Sequence, residues 1–248
     1  MPIPEHVTVI VAVFLLAGWV KGVVGMGLPT VAMGALGLLV QPVQAAALLV
    51  IPSLVTNVWQ FSVGPSKLVI ARRLASMMVF VCVGTGLGIQ FLTYGSSNWP
   101  TVALGMVLAA YAALALFLPK LIIPFRSERH LSPVVGGLTG LLSGATGVFA
   151  VPAVPYLGSL DLSKDELLQA LGLSFTVSTV ALAVALGSSG SYSRNILVTS
   201  LVAVVPALLG MFIGQRTRDW IEPVLFRKCF FSVLLLDGCY MMLHALFI

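Results

Sequence analysis

Residues 7–40 form an almost continuous apolar run whose middle reads Gly18-Trp19-Val20-Lys21-Gly22-Val23-Val24-Gly25-Met26-Gly27-Leu28-Pro29. One membrane helix cannot absorb it, because at about 1.5 Å per residue the run reaches about 51 Å against a hydrocarbon core of about 30 Å. The glycines and Pro29 mark where it breaks, since glycine accepts φ > 0 and proline suits the first position of a new helix. The reading is two half-helices, 7–20 and 29–40, joined by a non-helical tip. Irregular backbone at membrane depth is tolerated only against protein or a watery cavity. Lys21 beside the tip then becomes a substrate-site candidate, with snorkelling to an interface as the alternative.

Composition supports the membrane reading. Hydrophobic residues make up 59% of the chain and charged residues 8%, and mean hydropathy is +1.08. A soluble domain carries about three times that share of charge. A pI of 9.4 would suggest nucleic acid in a soluble protein, but here the basic residues mark cytoplasmic loops and no nucleic-acid partner is expected. Cys82, Cys229 and Cys239 lie in apolar segments without ligand spacing, so neither a metal nor another cofactor is expected. The opening Met-Pro-Ile-Pro-Glu-His lacks a basic signal-peptide region and is expected to be retained.

Further along, ordinary spans are expected at 43–63, 74–94 and 99–118. The polar stretch 119–132 divides a first membrane repeat (1–118) from a second (133–248). The second opens with Gly136-Gly137-Leu138-Thr139-Gly140-Leu141-Leu142-Ser143-Gly144-Ala145-Thr146-Gly147, another glycine-rich break, and continues with spans at 163–187, 195–215 and 223–247. Ala47, Leu48, Ser53 and Thr56 recur as Ala170, Leu171, Thr176 and Thr179, while Gly84 and Gly88 recur as Gly210 and Gly214. Lys21 falls opposite Thr139 in this alignment.

Each half therefore reads as one broken, re-entrant segment plus three transmembrane helices. Three crossings are odd in number, so the halves would be inverted. The basic residues test this separately: with re-entrant segments, all Lys and Arg except Lys21 and Arg194 fall in or beside loops on one side. The expected fold is an all-α polytopic membrane protein of two inverted repeats, in the cytoplasmic membrane with both termini outside.

Half-helix N-termini after Gly27 and Gly147 would present free N–H groups and positive dipole ends suited to an anion. Around them the expected binding set is Lys21, Gly22, Gly25, Gly27, Thr56, Asn57, Gly140, Ser143, Gly144, Thr146, Thr176 and Thr179. Ser and Thr in spans also bond to their own helix, the competing reading for the hydroxyls. Asp237 is the one carboxylate deep within a span, either a proton-coupling group or a partner of Lys228 or His244. Scarce buried acids argue against a cation channel, and no serine elbow or HExxH motif supports an enzyme.

The stretches GWVKGVVGMGLP, GGLTGLLSGATGVFAVP and QAAALLVIPSLVTN resemble the duplicated pattern of the TauE/SafE family of sulfite and organosulfonate permeases. The resemblance implies export of small sulfur oxyanions or sulfonated organic acids. The expectation is a secondary transporter of small anions, held near the midplane where the two breaks meet, by Lys21 and backbone N–H groups. Its expected partners are that anion and the lipid bilayer, with a homodimer left open. A passive anion channel and a non-transporting accessory subunit remain the alternatives.

Overall fold

The computed structural model describes residues 7–93, 98–117 and 123–247, so the turn at 95–97 and the first residues of the 119–132 stretch lie outside the described residues. Every regular element among them is helical. The order is α1 (Val7–Val24), α2 (Leu28–Gly37), α3 (Pro42–Val63), α4 (Lys67–Arg73), α5 (Ala75–Thr93), α6 (Trp99–Phe117), α7 (Phe125–Thr146), α8 (Ala153–Ser159), α9 (Lys164–Ser188), α10 (Arg194–Thr217) and α11 (Pro223–Phe247). Seven of these, α1, α3, α5, α6, α9, α10 and much of α11, are long and apolar enough to cross a membrane. The chain is an all-α multi-pass membrane protein.

Both breaks form where glycine takes the left-handed conformation. Gly25 (φ 81°) ends α1 and Gly147 (φ 73°) ends α7, and their N–H groups donate to Lys21 O at 2.7 Å and Ser143 O at 2.8 Å. These are matching αL caps. Lys21 therefore corresponds to Ser143, not to Thr139, because the caps and not the glycine spelling set the alignment.

The first limb is longer than the half-helix 7–20. Gly18 and Gly22 stay helical because they are packing faces: a Cβ on Gly18 would meet Ala207 O, and one on Gly22 would meet Met211 O and Gln215 N. The second repeat does the same, Gly140 abutting Val81 O and Thr85 N, and Gly144 abutting Thr85 O and Ile89 N. So α1 lies against α10 as α7 lies against α5, each broken segment clasping a span of the other repeat. Small residues let such backbones approach closely. Around these pairs α3 packs on α9 and α6 on α11, which makes the pattern of partners the same for both halves.

Both segments double back. Ile123 N donates to Ser159 O at 3.0 Å, so the second segment starts and finishes at one level. Part of the expected polar linker is helical, because the first turns of α7 are pinned there. Arg73 forks onto Glu128, Nε to Oε1 and Nη2 to Oε2 both at 2.9 Å, and the Ser132 and Tyr156 hydroxyls lie 2.7 Å apart. In the first segment, Gly25 O accepts from Gln60 near the end of α3. Its return limb α2 then carries Met33 to Gly147, which also adjoins Ala46 near the start of α3. Ala46 and Gln60 are 14 residues apart on α3, about 21 Å at about 1.5 Å per residue. The two breaks therefore lie toward opposite ends of the bundle and do not meet near the middle, because each limb runs nearly the full depth before it turns.

Three helices contain internal prolines, Pro52, Pro133 and Pro206. Pro52 cannot donate to the carbonyl four residues earlier, Leu48 O. Ser200 on α10 fills that gap, its Oγ donating to Leu48 O at 2.7 Å, which pins α10 to α3. Replacing Ser200 with Ala leaves that buried carbonyl without its donor and is expected to cost about 1–3 kcal/mol. A lowered midpoint in thermal unfolding of the detergent-solubilised protein checks this, and an unchanged midpoint would refute it.

Candidate anion-binding site

Lys21 is 2% exposed and sits one turn before the break at Gly25. Its position follows from the register of α1 on α10, since Gly22 meets the α10 backbone and turns the preceding side chain toward α3. There Lys21 Nζ donates to Asn57 Oδ1. The Asn57 amide donates in turn to Thr179 Oγ1 at 3.4 Å, and Thr179 Oγ1 donates to Phe175 O at 2.6 Å. Lys21, α3 and α9 are thus joined by one short polar chain.

No carboxylate appears among Lys21's partners in the described residues; the only ion pair there is Arg73 with Glu128. A buried ammonium with only a neutral amide beside it costs several kcal/mol relative to water. Asn57 satisfies one of its three N–H donors and supplies no charge. An anion would supply both.

A cavity of about 460 Å³ reaches this lysine. Its inner wall is Lys21, Gly22 and Gly25; Trp59 and Gln60 form one side, Leu168 and Met211 another. Toward the mouth stand Val63, Gly64, Pro65, Asp165, Gln215 and Arg218. The cavity therefore opens at the end of the bundle that holds the 64–66 loop, the start of α9 and the end of α10. Arg218 adds a second cation at the mouth, and Asp165 is the one acid in the lining. Gln60 holds the tip in place, its Nε2 donating to both Gly25 O and Leu168 O at 2.8 Å. Next to it Gln169 accepts from Ser66 N and donates to Phe61 O, both at 2.9 Å.

The expected site residues separate into two groups. Lys21, Gly22 and Gly25 line the cavity, while Asn57 and Thr179 support Lys21 from behind. Thr56 is buried and donates to Pro52 O at 2.8 Å, and Thr176 donates to Gly172 O at 2.7 Å, so both bond within their own helices. Gly140, Ser143, Gly144 and Thr146 are at the other break. Ser143 faces Thr85, with hydroxyls 3.2 Å apart, and Thr146 donates to Leu142 O at 2.7 Å.

Gly27, the N-cap of α2, faces Val20 and Phe230 and lies outside the cavity. The return limb α8 has only 7 residues. Half-helix N-termini accordingly do not line this cavity. Asp237 packs its carboxylate against Gly34 of α2, also outside the lining, and pairs with neither Lys228 nor His244 among the described residues. Motif reading passed over Trp59, Gln215, Asp165 and Arg218. They are ordinary span-end residues in sequence, and their one signal was nearness to the tip once α1, α3, α9 and α10 converge.

Residues 10–241 match the family described as Sulfite exporter TauE/SafE. The chain belongs to the TauE/SafE sulfite exporter family. It is thus a membrane transporter of that family and not an enzyme, in agreement with the resemblance carried by its glycine-rich motifs. A Cupriavidus necator protein named "Probable sulfite/organosulfonate exporter TauE" is 29% identical over 230 residues, covering 90% of this chain and 89% of that protein. No solved structure matches the chain.

Gln60 is expected to hold the break at Gly25 against α9. Gln60→Leu keeps the side chain's bulk and deletes both donors, which is expected to destabilise the fold by about 1–3 kcal/mol, read as a lowered midpoint of thermal unfolding. A parental unfolding midpoint would remove Gln60 from this role.

Proposed function

We propose that this protein exports small sulfur oxyanions or organosulfonates across the cytoplasmic membrane, with Lys21 supplying the positive charge that holds the anion. One observation carries the reading: a buried lysine, with no acid beside it among the described residues, lies at the floor of a cavity open at one end of the bundle. The family match and the relative's name supply the substrate class. The cavity reaches the first break through Lys21, Gly22 and Gly25, and of the expected pairing of Lys21 with helix-break N–H groups the reading keeps the lysine.

The two repeats are inverted across the membrane. Supporting this, α1 and α7 pack in the same way on α10 and α5 yet reach opposite ends of α3. The cavity mouth shares its end with Lys67, Arg72, Arg73, Lys164, Arg216 and Arg218, so the positive-inside rule makes that end cytoplasmic and the conformer inward-open. Rocking one set of helices against the other would then exchange access.

Single cysteines at Ser127 and Ser188, in a variant whose native cysteines are serine, test the orientation. An impermeant thiol reagent applied to intact cells should label Ser188→Cys and spare Ser127→Cys; the reverse would place the cavity outside.

The charge of Lys21 is tested by Lys21→Met, which retains the stem. A charge-assisted hydrogen bond contributes about 1.5–3 kcal/mol, so equilibrium binding of radiolabelled sulfite should weaken about 10- to 150-fold. Lys21→Arg should keep part of the affinity, because the charge survives with altered geometry. Parental affinity in a folded Lys21→Met protein would show that the lysine does not hold the anion.

A further inference from the structure

We propose that the break at Gly147 is a second, latent vestibule for the same anion, lined by Ser143 and Thr85 and sealed in this conformer by Leu182, Leu186, Ile89 and Leu92. The proposal rests on the export reading above and extends it to the opposite face. Its basis is the register between the repeats, which the backbone contacts state residue by residue. Gly22 meets Met211 O, Gly214 and Gln215 N, while Gly144 meets Thr85 O, Gly88 and Ile89 N. Gly210 meets Leu15 O and Trp19 N, while Gly84 meets Gly137 O and Leu141 N. Lys21 thus corresponds to Ser143, Met211 to Thr85, Gln215 to Ile89 and Arg218 to Leu92. On α3 and α9, Thr56 and Thr179 correspond, each donating to the carbonyl four residues before it. Trp59 then corresponds to Leu182 and Val63 to Leu186.

Several positions that are open around Lys21 have buried counterparts around Ser143. Trp59 and Val63 are 58% and 70% exposed, whereas Leu182 and Leu186 are both 0%. Gln215 is exposed, whereas Ile89 and Leu92 are buried; Gly25 is half-buried, whereas Gly147 is buried. The seal is made of apolar side chains alone, yet what it covers is polar. Ser143 and Thr85 place their hydroxyls 3.2 Å apart. Thr139, one turn earlier on the same face of α7, keeps a 0% exposed hydroxyl with no hydrogen-bond partner. A buried hydroxyl left unpaired is costly, and opening this end would give it water or an anion.

The two ends differ in charge. The Lys21 end offers an ammonium, the Ser143 end only neutral hydroxyls. A sulfur oxyanion is held more weakly by neutral donors than by charged ones, so the second vestibule is the place of release.

The test uses the full chain with Cys82, Cys229 and Cys239 replaced by serine, reconstituted in liposomes. Single cysteines at Val63, Leu186 and Ile89 are exposed to an impermeant cationic methanethiosulfonate from each face in turn. Val63→Cys should react quickly from the face of the 64–66 loop. Leu186→Cys and Ile89→Cys should react only from the opposite face and at least tenfold more slowly, since they wait for the closed end to open. Reaction from the same face as Val63→Cys, or none from either face with both sealing variants, overturns the vestibule.

A second variant, Ser143→Ala with Thr85→Val, should slow radiolabelled sulfite counterflow at least tenfold while sulfite binding stays within twofold of the parent. Parental counterflow would overturn the role of the hydroxyls. Failure of the export reading looks different: there Lys21→Met binds sulfite normally, while the labelling pattern still decides whether the second vestibule opens.

Discussion

Where α1 meets α10, and again where α7 meets α5, glycines remove the Cβ atoms that would separate the two backbones, and carbonyl oxygens occupy the space. In a bilayer no hydrophobic force drives helices together, so this depth of contact is where association gains dispersion and close backbone packing. The contact also sets register, because a shift by one residue would bring a side chain against the facing backbone. Lys21 is pointed at Asn57 by that register, and Ser143 is pointed at Thr85 by its counterpart. The cavity, the polar chain behind it and the closed end opposite all follow from these two seams.

The seams leave one electrostatic problem unsolved. Among the described residues the partner of Lys21 is neutral, and the amide oxygen of Asn57 accepts one hydrogen bond without offsetting the charge. The cavity of about 460 Å³ beside it has room for water, which would ease the cost. An anion bound beside Lys21, as proposed, would ease it further and tie substrate binding to the cost of burying the lysine. If Lys21 holds the anion as proposed, closing this end without it would leave the ammonium in low dielectric, and an empty transporter would resist closure more than a loaded one. This coupling needs no separate sensor.

Duplication with divergence accounts for the rest. The two halves keep their glycine faces, αL caps and back-bonded threonines, which are requirements of packing and backbone geometry. They differ around the two breaks: lysine against serine, methionine against threonine, and a cavity mouth with Arg218 and Asp165 against buried leucine and isoleucine. Scaffold and site have thus changed independently within one chain.

Much of this was legible beforehand for definite reasons. Membrane residence followed from the scarcity of charge, the breaks from glycine and Pro29 within an apolar run too long for one crossing, and Lys21 from the expense of an ionisable group there. Gly22 and Gly25 were expected beside that lysine because they share its stretch of chain. The sequence by itself determined these, because they depend on local chemistry and on bilayer thickness. Only the tertiary structure decided how far apart the breaks lie, that Lys21 answers to Ser143, and that Trp59, Gln215 and Arg218 complete the cavity. Those outcomes depend on which backbones touch and at what register, a property of paired helices that no single segment encodes.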